Sequence, residues 1–215
     1  DYTITSGSIS NTSNSVTISW LTDGEKTVTV GYTNSNGCIS TISASNTINL
    51  DLLPVPSFIL EPSGPVCIGE EVTYTTEAGQ SNYVWTVSGT AGSDYNITGG
   101  GIGANSYTVT LKWLTDGAKT VTVNYSDANG CTGISPASNT ITLNPLPNPS
   151  FPVEPSNPIC LNDAVTYTTQ SGQFNYDWDI PGVEGVDFTI TEGGIGMSSN
   201  TVTIQWISAG SKTVT

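Results

Sequence analysis

The chain has 215 residues, only 10% of them charged, and 18 acidic side chains against 4 lysines give a formal net charge of −14 at pH 7. This balance, with no basic cluster, argues against nucleic acid and anionic lipid as partners, and no apolar run reaches the roughly 20 residues that a membrane helix needs. The absence of histidine removes the proton shuttle of Ser-His-Asp and Cys-His hydrolases, so we expect no enzyme.

A repeat of 93 residues organises the predicted elements. Trp20, Trp113 and Trp206 stand 93 residues apart, and sliding residues 1–122 over residues 94–215 without a gap gives 68 identities in 122 pairs. Such near-copies indicate tandem duplication, with each repeat forming one structural unit.

Proline-rich joints divide the chain into three parts. The segments "LLPVPSFILEPSGP" and "LNPLPNPSFPVEPSNP" suit strand edges and semi-rigid links, since proline cannot donate to a sheet ladder. The predicted parts are 1–53, the C-terminal part of one repeat, 54–146, a complete repeat, and 147–215, the N-terminal part of a third. Both chain ends then fall inside repeats, so we expect a piece of a longer array.

The complete repeat alternates apolar and polar residues with a period of two, which is typical of half-buried strands. About seven strands are predicted, four of them at 72–77, 83–87, 107–113 and 119–125, and shorter ones near 58, 95 and 139. Seven short strands in about 93 residues predict an all-β fold of tandem immunoglobulin-like β-sandwiches.

The five tryptophans are interpreted as core anchors rather than a sugar-binding strip, because they occupy inward-facing strand positions. Trp85 on the third strand is the expected centre of the core, with Tyr74, Val121 and Val123 facing it. The full set of anchors is Trp85, Trp178, Trp113, Trp20 and Trp206.

Each repeat has two cysteine positions. Cys67 and Cys160 occupy the first, just after a proline-rich joint, and Cys38 and Cys131 occupy the second, in the sequence "NGC". In an oxidising compartment such cysteines form disulfides. A bond from Cys67 to Cys131 would close a loop within one repeat. A sandwich would instead place them at opposite poles, roughly 25–30 Å apart, whereas a disulfide spans about 4–7 Å between α-carbons. The sequence leaves open whether the bonds run within a repeat or between neighbouring repeats.

Four carboxylates recur at matching places and are weak calcium candidates at the domain junctions: Asp94, Asp187, Glu61 and Glu154. Calcium prefers such oxygen ligands, but a turn-capping or solvent-facing role is the simpler interpretation of these carboxylates. No other cofactor is expected.

We predict no catalytic residues. The strand "YDWDI" carries the acidic pair Asp177 and Asp179, but Val84 and Thr86 replace it in the preceding copy. A solvated strand edge is the simpler interpretation of this pair, because a catalytic pair would be expected in both copies.

The segments "CIGEEVTYTTEAGQSNYVWTVSG" and "TVTLKWLTDGAKTVTVNYSDANGC" resemble the polycystic-kidney-disease (PKD) and PKD-like repeats of Bacteroidetes surface proteins. The chain departs from the family's "WDFGDG" segment, with "WTVSG" at Trp85 and "WDIPG" at Trp178, so the resemblance is to PKD-like repeats. It implies an exported protein at the bacterial surface, delivered by type IX secretion, in stalks or adhesive arrays without catalytic residues.

Three hypotheses on function follow. The leading one is an extended stalk or fibre of a large adhesin or filament, with neighbouring repeats and identical chains as partners. The second is a module that binds surface carbohydrate or protein through loops such as 88–106, where Tyr107 is the exposed aromatic candidate. The third is a linker array within a secreted hydrolase.

Overall fold

The computed structural model describes residues 1–215, which form fourteen β-strands and no helix. Contacts divide the chain into two compact units, Asp1–Leu146 and Pro147–Thr215. The division between the units coincides with the second proline-rich joint. No helix of membrane-spanning length and hydropathy is present.

The first 53 residues form two separate hairpins. The strands are β1 (Tyr2–Gly7), β2 (Val16–Trp20), β3 (Gly24–Val30) and β4 (Ala44–Leu50). β1 pairs antiparallel with β2, and β3 pairs antiparallel with β4. Every residue of β1 is exposed, so the apolar alternation of these strands does not produce a closed core here.

Residues 54–146 form a complete β-sandwich. Its strands are β5 (Val66–Cys67), β6 (Glu71–Thr75), β7 (Ser81–Val87), β8 (Tyr95–Gly100), β9 (Thr108–Trp113), β10 (Gly117–Ser126) and β11 (Ala137–Asn144). One sheet has the order β5-β11-β10-β7 and the other β6-β9-β8. All pairs are antiparallel except β5 with β11. This is the immunoglobulin-like arrangement that the sequence predicts.

The strand predicted near residue 58 is absent, and the first strand of this sandwich is β5, at Val66–Cys67. Near residue 58 the chain makes only an isolated bridge between Leu60 and Thr75, and β5 takes the edge position instead. Prolines at 54, 56, 62 and 65 remove the donors that a longer edge strand would need.

The core lies between the two sheets. Tyr74, Leu111 and Trp113 from one sheet and Val121 and Val123 from the other are fully buried. Their alternate positions follow from the strand period of two, which directs every second side chain inward. Trp85 is 8% exposed and packs in the same cluster.

The second unit repeats one of these sheets. Its strands are β12 (Ala164–Thr168), β13 (Phe188–Gly193) and β14 (Thr201–Trp206), in the order β12-β14-β13. This matches β6-β9-β8 of the complete repeat. Trp206 is buried in its core and Trp178 packs partly buried against it, whereas Trp20 of the first hairpins is half-buried.

A glycine ends β8 and β13 because only glycine fits there. Gly100 has φ +62°, and a Cβ on it would lie 2.2 Å from the carbonyl oxygen of Thr108. Gly193 has φ +70° and the same close approach, to Thr201 at 2.4 Å. The turn into the next strand therefore depends on the freedom of glycine to adopt positive φ.

Candidate functional site: the latch, the joint and the cysteine turn

Asp94, one of the calcium candidates, is the centre of a hydrogen-bonded group formed with Thr90, Thr115 and Lys119. We call this group the latch. Its carboxylate accepts the backbone N–H of Thr90 at 2.8 Å and the hydroxyl of Thr115 at 3.0 Å, and the ammonium group of Lys119 lies 4.0 Å away. The hydrogen bond from Thr90, then that from Thr115, hold the pKa of Asp94 below its ordinary value. Gly89, at φ +90°, leaves room for this side chain, since a Cβ there would lie 2.6 Å from the Cβ of Asp94.

Lys119 completes the latch from the start of β10. The side chain is buried, donates to Thr115 at 2.6 Å and lies 5.8 Å from the ring centroid of Trp113. A buried ammonium group needs such partners, because its desolvation is otherwise costly.

The latch recurs in the second unit, and its lysine contacts recur among the first hairpins. In the second unit Asp187 accepts from Val183 at 2.9 Å and from Ser208 at 2.7 Å, and Lys212 lies 5.5 Å from the ring centroid of Trp206. Among the first hairpins Lys26 donates to Thr22 at 2.8 Å and lies 5.9 Å from the Trp20 ring. The recurrence of Asp94 and Asp187 therefore has a structural explanation.

The other two calcium candidates, Glu61 and Glu154, lie near core tyrosines. Burial and, to a smaller extent, the Glu61 carboxylate raise the pKa of Tyr74 to about 12. Burial and the Glu154 carboxylate likewise raise the pKa of Tyr167. Residues 1–215 contain no group of three or more acidic, histidine or cysteine side chains placed to hold a metal ion. The structure thus offers no set of side chains that supports the calcium hypothesis.

The proline-rich joint is fastened to the repeat that follows it. Glu77 accepts the backbone N–H of Ser57 at 3.3 Å and the hydroxyl of Ser57, and Thr76 donates to Glu77 at 2.6 Å. Burial alone would raise the pKa of Glu77, but the hydrogen bonds from Ser57 and Thr76 outweigh it and lower the pKa to about 2. We call this arrangement of Ser57, Thr76 and Glu77 the joint clamp.

The second unit has the same joint clamp without the charge. Gln170 accepts the N–H of Ser150 at 3.2 Å and donates to the Ser150 hydroxyl at 2.6 Å, while Thr169 donates to Gln170 at 2.7 Å. The clamp was not foreseen from the sequence. Its only signal is the recurrence of "PSF" at both joints, at Ser57 and at Ser150.

A phenylalanine beside each clamp anchors the joint in the core. Phe58 lies 5.6 Å from Tyr74 and 6.2 Å from Trp85 between ring centroids. Phe151 in the second unit lies 5.8 Å from Tyr167 and 5.9 Å from Trp178. The joint is thus held by both hydrogen bonds and aromatic packing.

The two cysteines of the complete repeat lie at opposite poles. Cys67 is opposite Asn144 at the end of β11. Cys131 lies in the turn beyond β10, where its N–H donates to Oδ1 of Asp127 at 2.9 Å and its carbonyl accepts from the N–H of Asp127, also at 2.9 Å. All four cysteines of the chain are free thiols.

The outer sheet faces carry rows of paired threonine hydroxyls. Thr73 shares a hydrogen bond with Thr110 at 2.9 Å, and Thr75 with Thr108 at 3.0 Å. The second unit repeats both pairs, Thr166 with Thr203 and Thr168 with Thr201, each at 3.0 Å. The threonine residues of these strands therefore form polar outer faces stabilised by cross-strand pairs.

Exposed aromatic side chains are few. Tyr107 is 43% exposed, as the binding hypothesis requires, and Phe174, which the sequence analysis missed, is 89% exposed. Phe174 could have been found because the preceding copy has Ser81 at that place. It lines a cleft of about 650 Å³ together with Phe151, Tyr176 and Trp178.

That cleft lies on the segment of the second unit that corresponds to β7. In the complete repeat, β10 covers the same place. There β10 pairs with β7, and Tyr83, the counterpart of Tyr176, packs against Tyr125 with ring centroids 5.8 Å apart. The cleft is therefore equivalent to an interior position of the sandwich rather than to a ligand pocket. The strand predicted for "YDWDI" is absent from the structure, although the backbone of Asp179, in the acidic pair, exchanges two hydrogen bonds with Thr215 at 2.7 and 3.0 Å.

No protein-family model matches the chain, and no curated protein matches it. Among solved structures, the Escherichia coli adhesin FdeC superposes with a TM-score of 0.40 at 19% identity, over 87% of this chain and 66% of that one. The first eight immunoglobulin domains of the Down syndrome cell adhesion molecule give 0.42 at 12%, over 88% and 32%. The D00-D0 domains of intimin give 0.39 at 17%, over 74% and 90%. The chain thus spans less than two thirds of the first two, and at these scores the likenesses carry no argument about function.

Proposed function

We propose that this chain is a non-catalytic structural array of immunoglobulin-like, PKD-like repeats that forms an extended stalk or fibre at a bacterial surface. The observation that carries the proposal is the joint clamp. Ser57 and Ser150 stand at equivalent places in two joints, and each is held to the sandwich that its own joint enters. The clamp limits the free part of each joint to the few residues before the serine, as an extended array requires, whereas a flexible linker needs no such contacts.

The recurrent polar side chains support a structural role. Asp94, Lys119 and Thr115 hold one another in the latch, and the threonine rows pair across strands. These groups are used in static contacts within the sandwich. A catalytic acid or base needs instead a polar group directed at a substrate site.

Location outside the cell and export by type IX secretion are further parts of the proposal. They rest on the resemblance of "CIGEEVTYTTEAGQSNYVWTVSG" to PKD-like repeats of Bacteroidetes surface proteins. Protease treatment of intact cells tests the location. Loss of the protein from intact cells supports a surface position, and protection until the cells are lysed contradicts it.

A binding module for surface carbohydrate or protein is the second candidate. It is favoured by Tyr107, which is 43% exposed and has Asn14 and Asn200 at the matching places of the other copies, since an exposed aromatic ring in one copy alone is the difference that a specialised repeat would show. Binding to immobilised surface glycans that is lost in Tyr107→Asn and kept in Phe174→Ser would favour this candidate over a pure spacer.

Electron microscopy of the native material tests the leading proposal. β10 alone is about 33 Å long at the usual rise of a strand, so with its joint each repeat should occupy roughly 35–45 Å. Rods beaded at that spacing and one chain thick support a stalk, and several chains per cross-section support a filament. Compact particles without beading would contradict both forms.

A further inference from the structure

We infer that the two cysteines of one repeat bond to cysteines of the neighbouring repeats and not to each other. The first step is the separation between the poles. Gly117 of β10 pairs with Leu143, which pairs with Val66 beside Cys67. Asp127, which is hydrogen-bonded to Cys131, lies ten residues after Gly117. Ten residues correspond to about 33 Å of strand.

That separation cannot be closed within the sandwich. A disulfide needs α-carbons about 4–7 Å apart. Val121 and Val123 of β10, between the two poles, are fully buried and pair with both neighbouring strands. Bringing Cys67 to Cys131 would require the dismantling of this core.

The cysteine turn lies instead against the joint that enters the repeat. A Cβ on Gly133, two residues after Cys131, would lie 2.7 Å from Cδ of Pro56. The turn is held there by Asn124, whose side-chain amide donates to the carbonyl of Gly133 at 2.9 Å. Cys131 is therefore positioned next to the chain that arrives from the preceding repeat.

By the 93-residue spacing, the preceding repeat would place its equivalent of Cys67 at the near end of that joint. Cys67 lies opposite Asn144, whose counterpart one repeat earlier is Asp51. From Asp51 to Pro56 the extended chain measures about 17 Å at most, roughly half of the separation within a repeat. By this measure the preceding repeat is a nearer source of a partner for Cys131 than Cys67 of the same repeat is.

The repeat spacing of 93 residues identifies both partners. Cys131 would bond to the equivalent of Cys67 in the preceding repeat, 93 residues before Cys67. Cys67 would bond to the equivalent of Cys131 in the following repeat, 93 residues after Cys131. Both partners fall outside residues 1–215. Cys38 is in the same kind of turn as Cys131, with its N–H donated to Asn34 at 3.0 Å. Cys160 occupies the place of Cys67. The bond pattern thus extends through the array from one repeat to the next.

The oxidation itself is ordinary thiol–disulfide exchange. One thiolate attacks a small-molecule or protein disulfide, and one thiol of that oxidant leaves. The second cysteine thiolate then attacks the mixed disulfide, and the second thiol leaves. Two cysteine thiols lose two electrons and two protons, and one disulfide of the oxidant is reduced to two thiols.

This inference rests on the tandem array proposed above, and its first test uses the 215-residue chain itself. The folded chain is exposed to oxidised glutathione, free thiols are blocked, and disulfide-linked peptides are identified by mass spectrometry. We expect glutathione on Cys67 and on Cys131 and no peptide that joins "PVCIGEE" to "DANGCTG". The same chain in urea is the control and should yield that linked peptide, because unfolding removes the separation. Its formation in the folded chain would overturn the inference.

The second test maps the native material isolated from cells in the presence of a thiol-blocking reagent. We expect "PVCIGEE" joined to an N-G-C peptide other than "DANGCTG", and "DANGCTG" joined to a different P-x-C peptide. A bond between "PVCIGEE" and "DANGCTG", or four fully free thiols, would overturn the inference. Beaded rods with free thiols would leave the structural array intact while rejecting the cross-links, so the two failures are distinguishable.

Discussion

Ser57 and Glu77 connect a proline-rich joint to the sandwich that it precedes, with the N–H of Ser57 donating to Oε2 of Glu77 over 3.3 Å. In the second unit Ser150 donates its N–H to Gln170 in the same way, at 3.2 Å. One clamp therefore has a charge that can titrate and the other has none, although the geometry is shared.

Acid should weaken the first clamp only. The pKa of Glu77 in the folded chain is lowered to about 2 from an ordinary 4.5, so its contribution to stability is fully present above about pH 4.5 and is lost as the pH falls toward 2. Because the carboxylate is only partly buried and solvent screens its charge, we expect about 1 kcal/mol or less. Urea unfolding between pH 2 and pH 7 should show this dependence in the native chain and its loss in Glu77→Gln. The reciprocal variant Gln170→Glu should add a similar dependence, and identical pH profiles for all three proteins would contradict the role of the charge.

The latch requires glycine at position 89. Gly89→Ala combines a positive φ with a Cβ only 2.6 Å from Asp94, whereas Gly92→Ala has a similar φ of +82° and nothing within 4 Å. The backbone strain costs about 1 kcal/mol in each variant, and the overlap should add about 1–3 kcal/mol in Gly89→Ala. Chemical denaturation of the two variants measures the difference, and equal losses would show that the contact with Asp94 is unimportant.

Core truncation should be far more costly on the inner face than on the outer one. Leu111→Ala removes a fully buried side chain, and we expect a loss of about 2–5 kcal/mol in the free energy of unfolding. Val84→Ala, at a strand position that is 63% exposed, should change it by no more than about 0.5 kcal/mol. Tryptophan fluorescence during urea unfolding reports both. A comparable loss in Val84→Ala would mean that this outer face is covered by another chain.

The threonine pairs should contribute individually small but measurable coupling. A double-mutant cycle with Thr73→Val, Thr110→Val and both together should give a coupling of about 0.2–1 kcal/mol, as for other cross-strand pairs. Valine keeps the branched shape, so the cycle isolates the shared hydrogen bond of 2.9 Å. Thr73 with Thr120, which lie in different sheets, is the matched control and should show additive effects.

The strand period, the 93-residue repeat and the immunoglobulin-like sandwich could be predicted from the sequence, because each depends on local patterns. Alternation in "TVTLKW" determines which side chains of β9 face inward, and Leu111 and Trp113 are buried accordingly. The burial of Trp85, Trp113 and Trp206 likewise follows from their inward strand places. Trp20 and Trp178 are only half-buried, and Trp178 lies in no strand.

The functional details depended on which distant residues meet, and alternation along a strand contains no information about that. Asp94 is a weak calcium candidate in the sequence because a recurrent carboxylate looks the same there whether it binds a metal or contacts Thr115 and Lys119. No local pattern marks Glu77, because its partner Ser57 lies twenty residues away along the chain, in the proline-rich joint. The cysteines remained ambiguous for the same reason. Composition and period determined the sandwich, and only the pairing of β5, β11 and β10 determined that Cys67 and Cys131 stand at opposite poles, because strand order arises from long-range packing of the two sheets.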